Sequence, residues 1–289
     1  MVCQTCKCKY IKSSFLIRDY EYDFNSVAEY SICKKCNLIY RMHNIKDEEA
    51  KVLYSDKIYK PVKGGFIYNY LKKINAYYEK YIILKNILNS KYKEKIIVLD
   101  IACGKGYLLE VFAKYKKYIC FGVDINSVPD KKNIKFINAD FKDLKIIKNI
   151  NADIIIINNF IEHLEDINDL YKTIEIMKKG SNMIIITPDT DSNARLFFST
   201  FWSGYHAPRH KMLFNTKNIL KTFSHIKDIN LRTYKLFDPF TNLISYYNLI
   251  KEFRVNFSIK LLLKVIITPS LLLMDLFKKN RILMIIQKK

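Results

Sequence analysis

The chain is sparing in several residue types at once. Among its 289 residues are one tryptophan, five histidines, six prolines and seven glycines. It has no apolar run of the ~20 residues that a bilayer-spanning helix needs. The best candidate, residues 260–277, is interrupted by Lys264, Pro269 and Asp275. Nor does an apolar run follow the opening MVCQTCKCKY, as it would in a secretory signal. These two absences predict a cytoplasmic protein. Acids number 28 against 49 lysines and arginines, a net charge of +21, yet no concentrated basic tract exists. The lysines are scattered singly and in pairs. That favours a composition bias over a dedicated grip on nucleic acid or an anionic membrane. The seven cysteines are odd in number and are not spread through the chain, which argues against a disulfide scaffold.

Five of those cysteines fall in the first 36 residues. Cys3 and Cys6, then Cys33 and Cys36, form two C-x-x-C pairs. One tight turn at this spacing presents two thiolates to one ion, and two such turns close a tetrahedral structural zinc site. The segment between the pairs alternates well enough for two or three short strands, so residues 1–45 read as a small zinc ribbon. Cys8 is a spare thiol beside Cys6.

From residue 95 the pattern changes. KIIVLDIACGKGYLLEVFAKY reads as buried strand, glycine turn and amphipathic helix, the first unit of a doubly wound α/β sheet. Gly104 and Gly106 allow a ligand close to the backbone, at a helix N-terminus that favours negative charge. Further strands follow at 118–126, 134–144, 152–166 and 180–189, with helices near 107–117 and 166–178. The predicted sheet is therefore mostly parallel. Asp124 ends the second strand about twenty residues after the turn, where an acid accepts hydrogen bonds from ribose hydroxyls. A nicotinamide-binding turn would need a third glycine where Leu109 stands.

The run VLDIACGKGYLLE, GVDIN, INADF, IIIINNFIEHLED and KKGSNMIIITPD resembles the class I S-adenosylmethionine-dependent methyltransferases, which are Rossmann-like with a seven-stranded sheet. The resemblance implies that Asp100 lies by the methionine end of the cofactor and that the turn around Gly104 and Gly106 wraps it. It places Asp124 and Ile125 at the ribose, Asp140 and Phe141 at the adenine, and Asn158 with Asn159 at the amino-acid end. Ala102 stands where the family usually has glycine, which predicts crowding without loss of binding. Over residues 1–235 the chain is most similar to a bacterial subgroup with an N-terminal zinc-binding segment, often acting on sugars and other small biosynthetic intermediates.

The scarce residues gather in WSGYHAPRH, residues 202–210. Following the fifth strand and a short helix, this stretch is predicted to fold over the carboxyl edge of the sheet as a substrate lid. Trp202 and Tyr205 would form apolar walls, Arg209 would clamp a phosphate or carboxylate, and His206 and His210 would act as bases. The alternative is a structural corner, with Arg209 tied to carbonyls and His210 buried. His163, in IEHLED, is a third candidate base, and Glu162 either faces the site or caps the next helix.

Five segments follow: 1–45, a helical connector 46–94 covering the cofactor site, the core 95–238, a helical insertion 239–280, and a last strand in 281–289. The insertion reads as a packing or dimer element, or as a peripheral membrane patch at the inner membrane face. The leading functional expectation is O-methylation of a sugar, nucleotide-sugar or surface-glycan precursor, with S-adenosylmethionine and structural zinc as cofactors. An RNA methyltransferase and a non-catalytic or membrane-docked cofactor-binding partner stand as alternatives. NNFIEH lacks the Pro-Pro loop that methylation of a base amine uses.

Overall fold

The computed structural model describes residues 2–20, 26–45, 53, 66–87, 94–252, 275 and 279–289. Parts of the predicted connector 46–94 and most of the predicted insertion 239–280 lie outside these residues. No helix among the described residues is long and apolar enough to cross a membrane.

The N-terminal unit begins with β1 (Ile11–Arg18), β2 (Val27–Cys33) and β3 (Ile39–Arg41), an antiparallel meander. Two strands lie between the cysteine pairs and the third lies beyond the second pair. Helix α1 (Phe66–Ile87) then leads into the main sheet. There β4 (Ile96–Ile101), α2 (Tyr107–Ala113), β5 (Tyr118–Asp124), β6 (Ile134–Asn138), α3 (Leu144–Ile150), β7 (Ile154–Asn158), α4 (Asn168–Glu175) and β8 (Asn182–Pro188) alternate. After α5 (Asn193–Phe198) come β9 (Met212–Leu213), α6 (Thr216–Phe223), β10 (Ile229–Leu236), α7 (Pro239–Glu252) and β11 (Arg281–Lys288). Helix α6 starts at a reciprocal capping box between Asn215 and Asn218.

The main sheet has seven strands in the order β10-β11-β8-β7-β4-β5-β6. Five neighbours, from β8 to β6, run parallel, and β11 inserts antiparallel between β8 and β10. The buried strands are near-continuous apolar runs because helices cover both faces. Alternate residues supply two cores: Leu99, Ile155, Ile185 and Met284 on one face, Val98, Ile154, Ile184 and Ile285 on the other. The strand β10 was not singled out by sequence, since its edge position leaves it half-exposed and carrying Arg232 and Lys235.

Strand order reverses at β4, which pairs with β5 on one side and β7 on the other. Ligands of open α/β sheets bind at such a switch point, beyond the carboxyl ends of the strands. The N-terminal sheet does not close on itself. Its fourth strand is β9, joined through Ile39↔Leu213 and Tyr40↔Met212. This pairing ties the cysteine-bearing unit to the segment that follows residue 201.

Candidate functional site

At the end of β4 the chain turns through three left-handed residues: Ala102 (φ 55°), Gly104 (φ 50°) and Gly106 (φ 69°). Gly106 is required twice over. Besides its backbone angle, a Cβ there would lie 2.7 Å from the Phe136 ring. Ala102 accepts the conformation at a cost of about 1 kcal/mol, which explains why glycine suits this position. Asp124, at the end of β5, fixes the turn from the side. Its carboxylate accepts from the Gly104 amide at 2.8 Å and the Asn126 amide at 2.9 Å.

A cavity of about 190 Å³ opens beside this turn. Asp100, Ala102 and Cys103 form one wall, Tyr107 and Leu108 of α2 another, and Asn158 and Asn159 a third. The remaining wall comes from Lys72, Asn75 and Glu79 of α1 and from Arg281 of β11. A polar box links the last two elements to β7. Arg281 donates to Glu79 at 2.5 Å, to Asn158 at 2.5 Å and to Asn159 at 3.1 Å, while Asn158 donates to Glu79 at 3.0 Å. Asp100 is 4% exposed, and its Oδ1 has no hydrogen-bond partner among the described residues. Burial, then the neighbouring Glu79 and Asp124, raises its pKa well above the usual carboxylate range. An orphaned, reluctant carboxylate facing a cavity fits a cationic ligand. S-adenosylmethionine, with its ammonium and sulfonium, matches that requirement.

Ile125, Asp140 and Phe141 lie outside these walls, along the adjoining ends of β5 and β6. Ile125 is 66% exposed. Asp140 accepts from the Lys142 amide, and Phe141 meets Phe160 edge-on at 4.9 Å. Glu79, Arg281, Lys72, Asn75 and Tyr107 are site residues that sequence reasoning missed. The signal for Arg281 was a charge opening an otherwise apolar strand; Glu79 carried none. Asp124→Ala is expected to weaken S-adenosylmethionine binding at least ~10-fold, the loss of one charge-assisted hydrogen bond. Calorimetric titration checks this; unchanged affinity would remove Asp124 from the site.

A second cluster hangs from the carboxyl end of β7. His163 closes the short helical turn Ile161–His163, and His206 and His210 approach it from the 202–210 segment. One ring nitrogen from each lies within 4.8 Å of the others. His206 Nδ1 is 3.3 Å from His210 Nε2, and the His163 and His210 rings stand edge to face at 4.6 Å. Burial pushes His163 down to about 4, with Arg209 adding to the effect. Burial and the other imidazoles hold His206 and His210 well below their ordinary value, so all three are neutral at pH 7. Fully buried Glu162 bonds Thr187 through Oε2 at 2.9 Å, and burial raises it to about 7.

The rest of the nine residues build the mount for this cluster. Trp202 and Tyr205 are 1% and 4% exposed and pack against Ile17, Tyr30 and Ile39 of the N-terminal sheet and Tyr246 of α7. Gly204 lies under the indole, where a Cβ would come within 2.2 Å of it. Arg209 is fully buried and pairs with Asp19 at 3.4 Å. Ala207–Pro208 is a cis peptide bond. Tyr30 donates to the His210 carbonyl at 2.8 Å, and the Lys211 amide to that of Glu162 at 2.6 Å. None of Trp202, Tyr205, Arg209 and the three histidines lines the cavity beside the glycine turn.

The four sulfurs of Cys3, Cys6, Cys33 and Cys36 also lie within 4.8 Å of one another, with Cys3–Cys36 and Cys6–Cys33 at 3.5 and 3.4 Å. Tetrahedral zinc thiolate needs sulfurs roughly 3.8 Å apart. Each turn closes through a left-handed residue after its second cysteine, Lys7 (φ 56°) and Asn37 (φ 57°). The donor set fits a structural zinc. Cys8 turns aside toward Tyr10 and stands outside the cluster.

The sequence profile of a family described as a methyltransferase domain matches residues 74–252. No curated protein matches the chain. Among solved structures, the 1,6-didemethyltoxoflavin N1-methyltransferase of Burkholderia thailandensis, with bound 1,6-didemethyltoxoflavin and S-adenosylhomocysteine, superposes with a TM-score of 0.54 at 12% identity, over 91% of this chain and 96% of that one. A SAM-dependent methyltransferase from Archaeoglobus fulgidus gives 0.45 at 20% identity, over 74% and 93%. At 12% identity the first of these speaks for the fold alone.

Proposed function

The chain belongs to the methyltransferase-domain family and is an S-adenosylmethionine-dependent methyltransferase; from that premise we propose that it methylates a hydroxyl of a small molecule, namely a sugar, nucleotide-sugar or surface-glycan precursor. The observation that carries the reading is the meeting of three neutral imidazoles beside the end of β7, the end at which Asn158 and Asn159 wall the cofactor cavity. A hydroxyl acceptor must lose its proton, and an imidazole that burial keeps neutral has a ring lone pair to receive it. The segment after β7 holds no proline, which counts against an amine on a nucleobase as acceptor.

When bound, S-adenosylmethionine supplies a methyl group on positively charged sulfur. Asp100 and Glu79 would hold its ammonium, Arg281 and the two asparagines its carboxylate, and Asp124 its ribose hydroxyls. Ile125, Asp140 and Phe141 would flank the adenine. Closing this surface excludes water and aligns the reacting groups. His163, His206 and His210 receive the acceptor's proton at a ring nitrogen. Trp202, Tyr205 and Arg209 act through them, by fixing the segment that carries two of the three.

Labelled methyl from S-adenosylmethionine, offered to fractionated extract of the source cells, tests the reading. Label is expected in the nucleotide-sugar or glycan fraction, and His210→Gln is expected to lower transfer ~100-fold, the scale of general-base catalysis, with cofactor affinity kept. Ribonuclease-sensitive label would overturn the acceptor class. Full turnover in His210→Gln and His206→Gln would remove the histidines from the chemistry.

A further inference from the structure

The three imidazoles are also arranged to share one metal ion, which would occupy the nitrogens that the base reading uses. His206 and His210 are four residues apart, a spacing shared with many metal-binding histidine pairs. Two nitrogens bound to one zinc-class ion at a tetrahedral angle sit roughly 3.4 Å apart, and His206 Nδ1 and His210 Nε2 sit at 3.3 Å. His210 Nδ1 lies 2.8 Å from the Gly204 carbonyl. A carbonyl only accepts, so Nδ1 carries the proton and donates it there, and Nε2 presents a lone pair toward His206. Metal-bound histidines are oriented in this way, with the far ring nitrogen donating to a carbonyl. His163 completes the set within 4.8 Å.

The neighbouring carboxylate is a separate observation pointing the same way. Glu162 is fully buried, its Oε1 has no hydrogen-bond partner among the described residues, and that oxygen lies 3.9 Å from His210 Nε2. A buried carboxylate oxygen left without a donor is costly. A cation among the histidines would neutralise it. The peptide itself holds Glu162 against the cluster, since the Lys211 amide donates to the Glu162 carbonyl.

We propose that His163, His206 and His210 bind one divalent first-row transition-metal ion of the zinc class, with Glu162 beside it and a coordination position open to the acceptor. Three imidazoles suit such ions, and three protein ligands plus an open position distinguish a catalytic from a structural site. The open position would take a hydroxyl oxygen and lower its pKa; with the imidazoles ligated, the proton passes to the unpartnered Oε1 of Glu162 beside the ion. This last role rests on the reading of the cluster as the acceptor's site; the metal site does not.

Protein with its four-cysteine site loaded with zinc is titrated with cobalt(II) chloride and followed by visible absorption. One equivalent is expected to bind, giving ligand-field bands without thiolate charge-transfer bands. His206→Ala and His210→Gln should each abolish those bands while circular dichroism and the cysteine-bound zinc are retained. No stoichiometric uptake, uptake unchanged in both variants, or thiolate charge transfer would each overturn the site. Should wild-type protein take up no cobalt while His206→Ala loses methyl transfer, the metal falls and the imidazole base stands. Should cobalt bind and transfer survive its loss, the metal site stands and the acceptor reading falls.

Discussion

Asp100→Asn is expected to yield a ligand-free protein that is more stable at neutral pH and scarcely able to hold its cofactor. Asp100 is buried at the end of β4 with an orphaned oxygen, close to Glu79 and Asp124. Its folded pKa is raised, so its contribution to stability is fully present below the unfolded value and is lost as pH rises through the folded one. At pH 7 the ligand-free fold therefore bears the cost of this carboxyl. An asparagine of the same shape removes it. The gain should be on the order of 1–2 kcal/mol, the cost of keeping a buried carboxyl ionised against its raised pKa, and should shrink as the pH is lowered toward 4. Urea denaturation at pH 7 and pH 4.5 measures it. Affinity for S-adenosylmethionine should fall ~10- to 100-fold with the lost charge. A less stable variant would mean that the carboxylate has a partner in the folded protein. Unchanged affinity would mean that Asp100 does not face the cofactor. The trade reflects a general rule: a site prepared for a charged ligand is strained without it.

Cys33→Ser is expected to cost the bound zinc, the N-terminal sheet and methyl transfer together, while cofactor affinity stays near that of the wild type. Cys33 is fully buried, and its knuckle is closed by the Asn37 amide at 3.0 Å. Structural zinc binding is folding free energy, on the order of 10 kcal/mol in small ribbons. The sheet it supports reaches the histidines directly: β3 pairs with β9, and Tyr30 of β2 donates to the His210 carbonyl. The cavity beside the glycine turn draws on none of β1, β2 and β3. Metal analysis, calorimetry with S-adenosylmethionine and a turnover assay separate the three effects. Retained turnover in zinc-free protein would show that the ribbon does not position the histidines. Lost cofactor binding would show that the two units fold as one.

The two halves of the site were unequally legible. The glycine turn, Asp124 and the cysteine pairs could be located because each is a short-range pattern whose chemistry depends on spacing. Trp202 and Tyr205 were expected as walls of a substrate lid. The structure buries both against the N-terminal sheet, while His206, two and four residues away in its case from Gly204 and His210, turns to the cluster. A rare aromatic gives the same sequence signal whether it faces a ligand or a core. The pairing of Glu79 with Arg281 around the expected Asn158 was illegible for another reason: Glu79 and Arg281 are 202 residues apart.

The sequence by itself determined the five parallel strands, the end of the sheet at which a cofactor is expected, and the two knuckles. Buried parallel strands are continuous apolar runs, the ligand lies at the switch point, and two thiolates two residues apart share one turn; all of this is local. Only the tertiary structure decided that β9 closes the N-terminal sheet, that His163 meets His206 and His210, and that Arg281 returns to Glu79. Those contacts depend on chain closure over tens to hundreds of residues, where no period or spacing in the sequence records which side chains will meet.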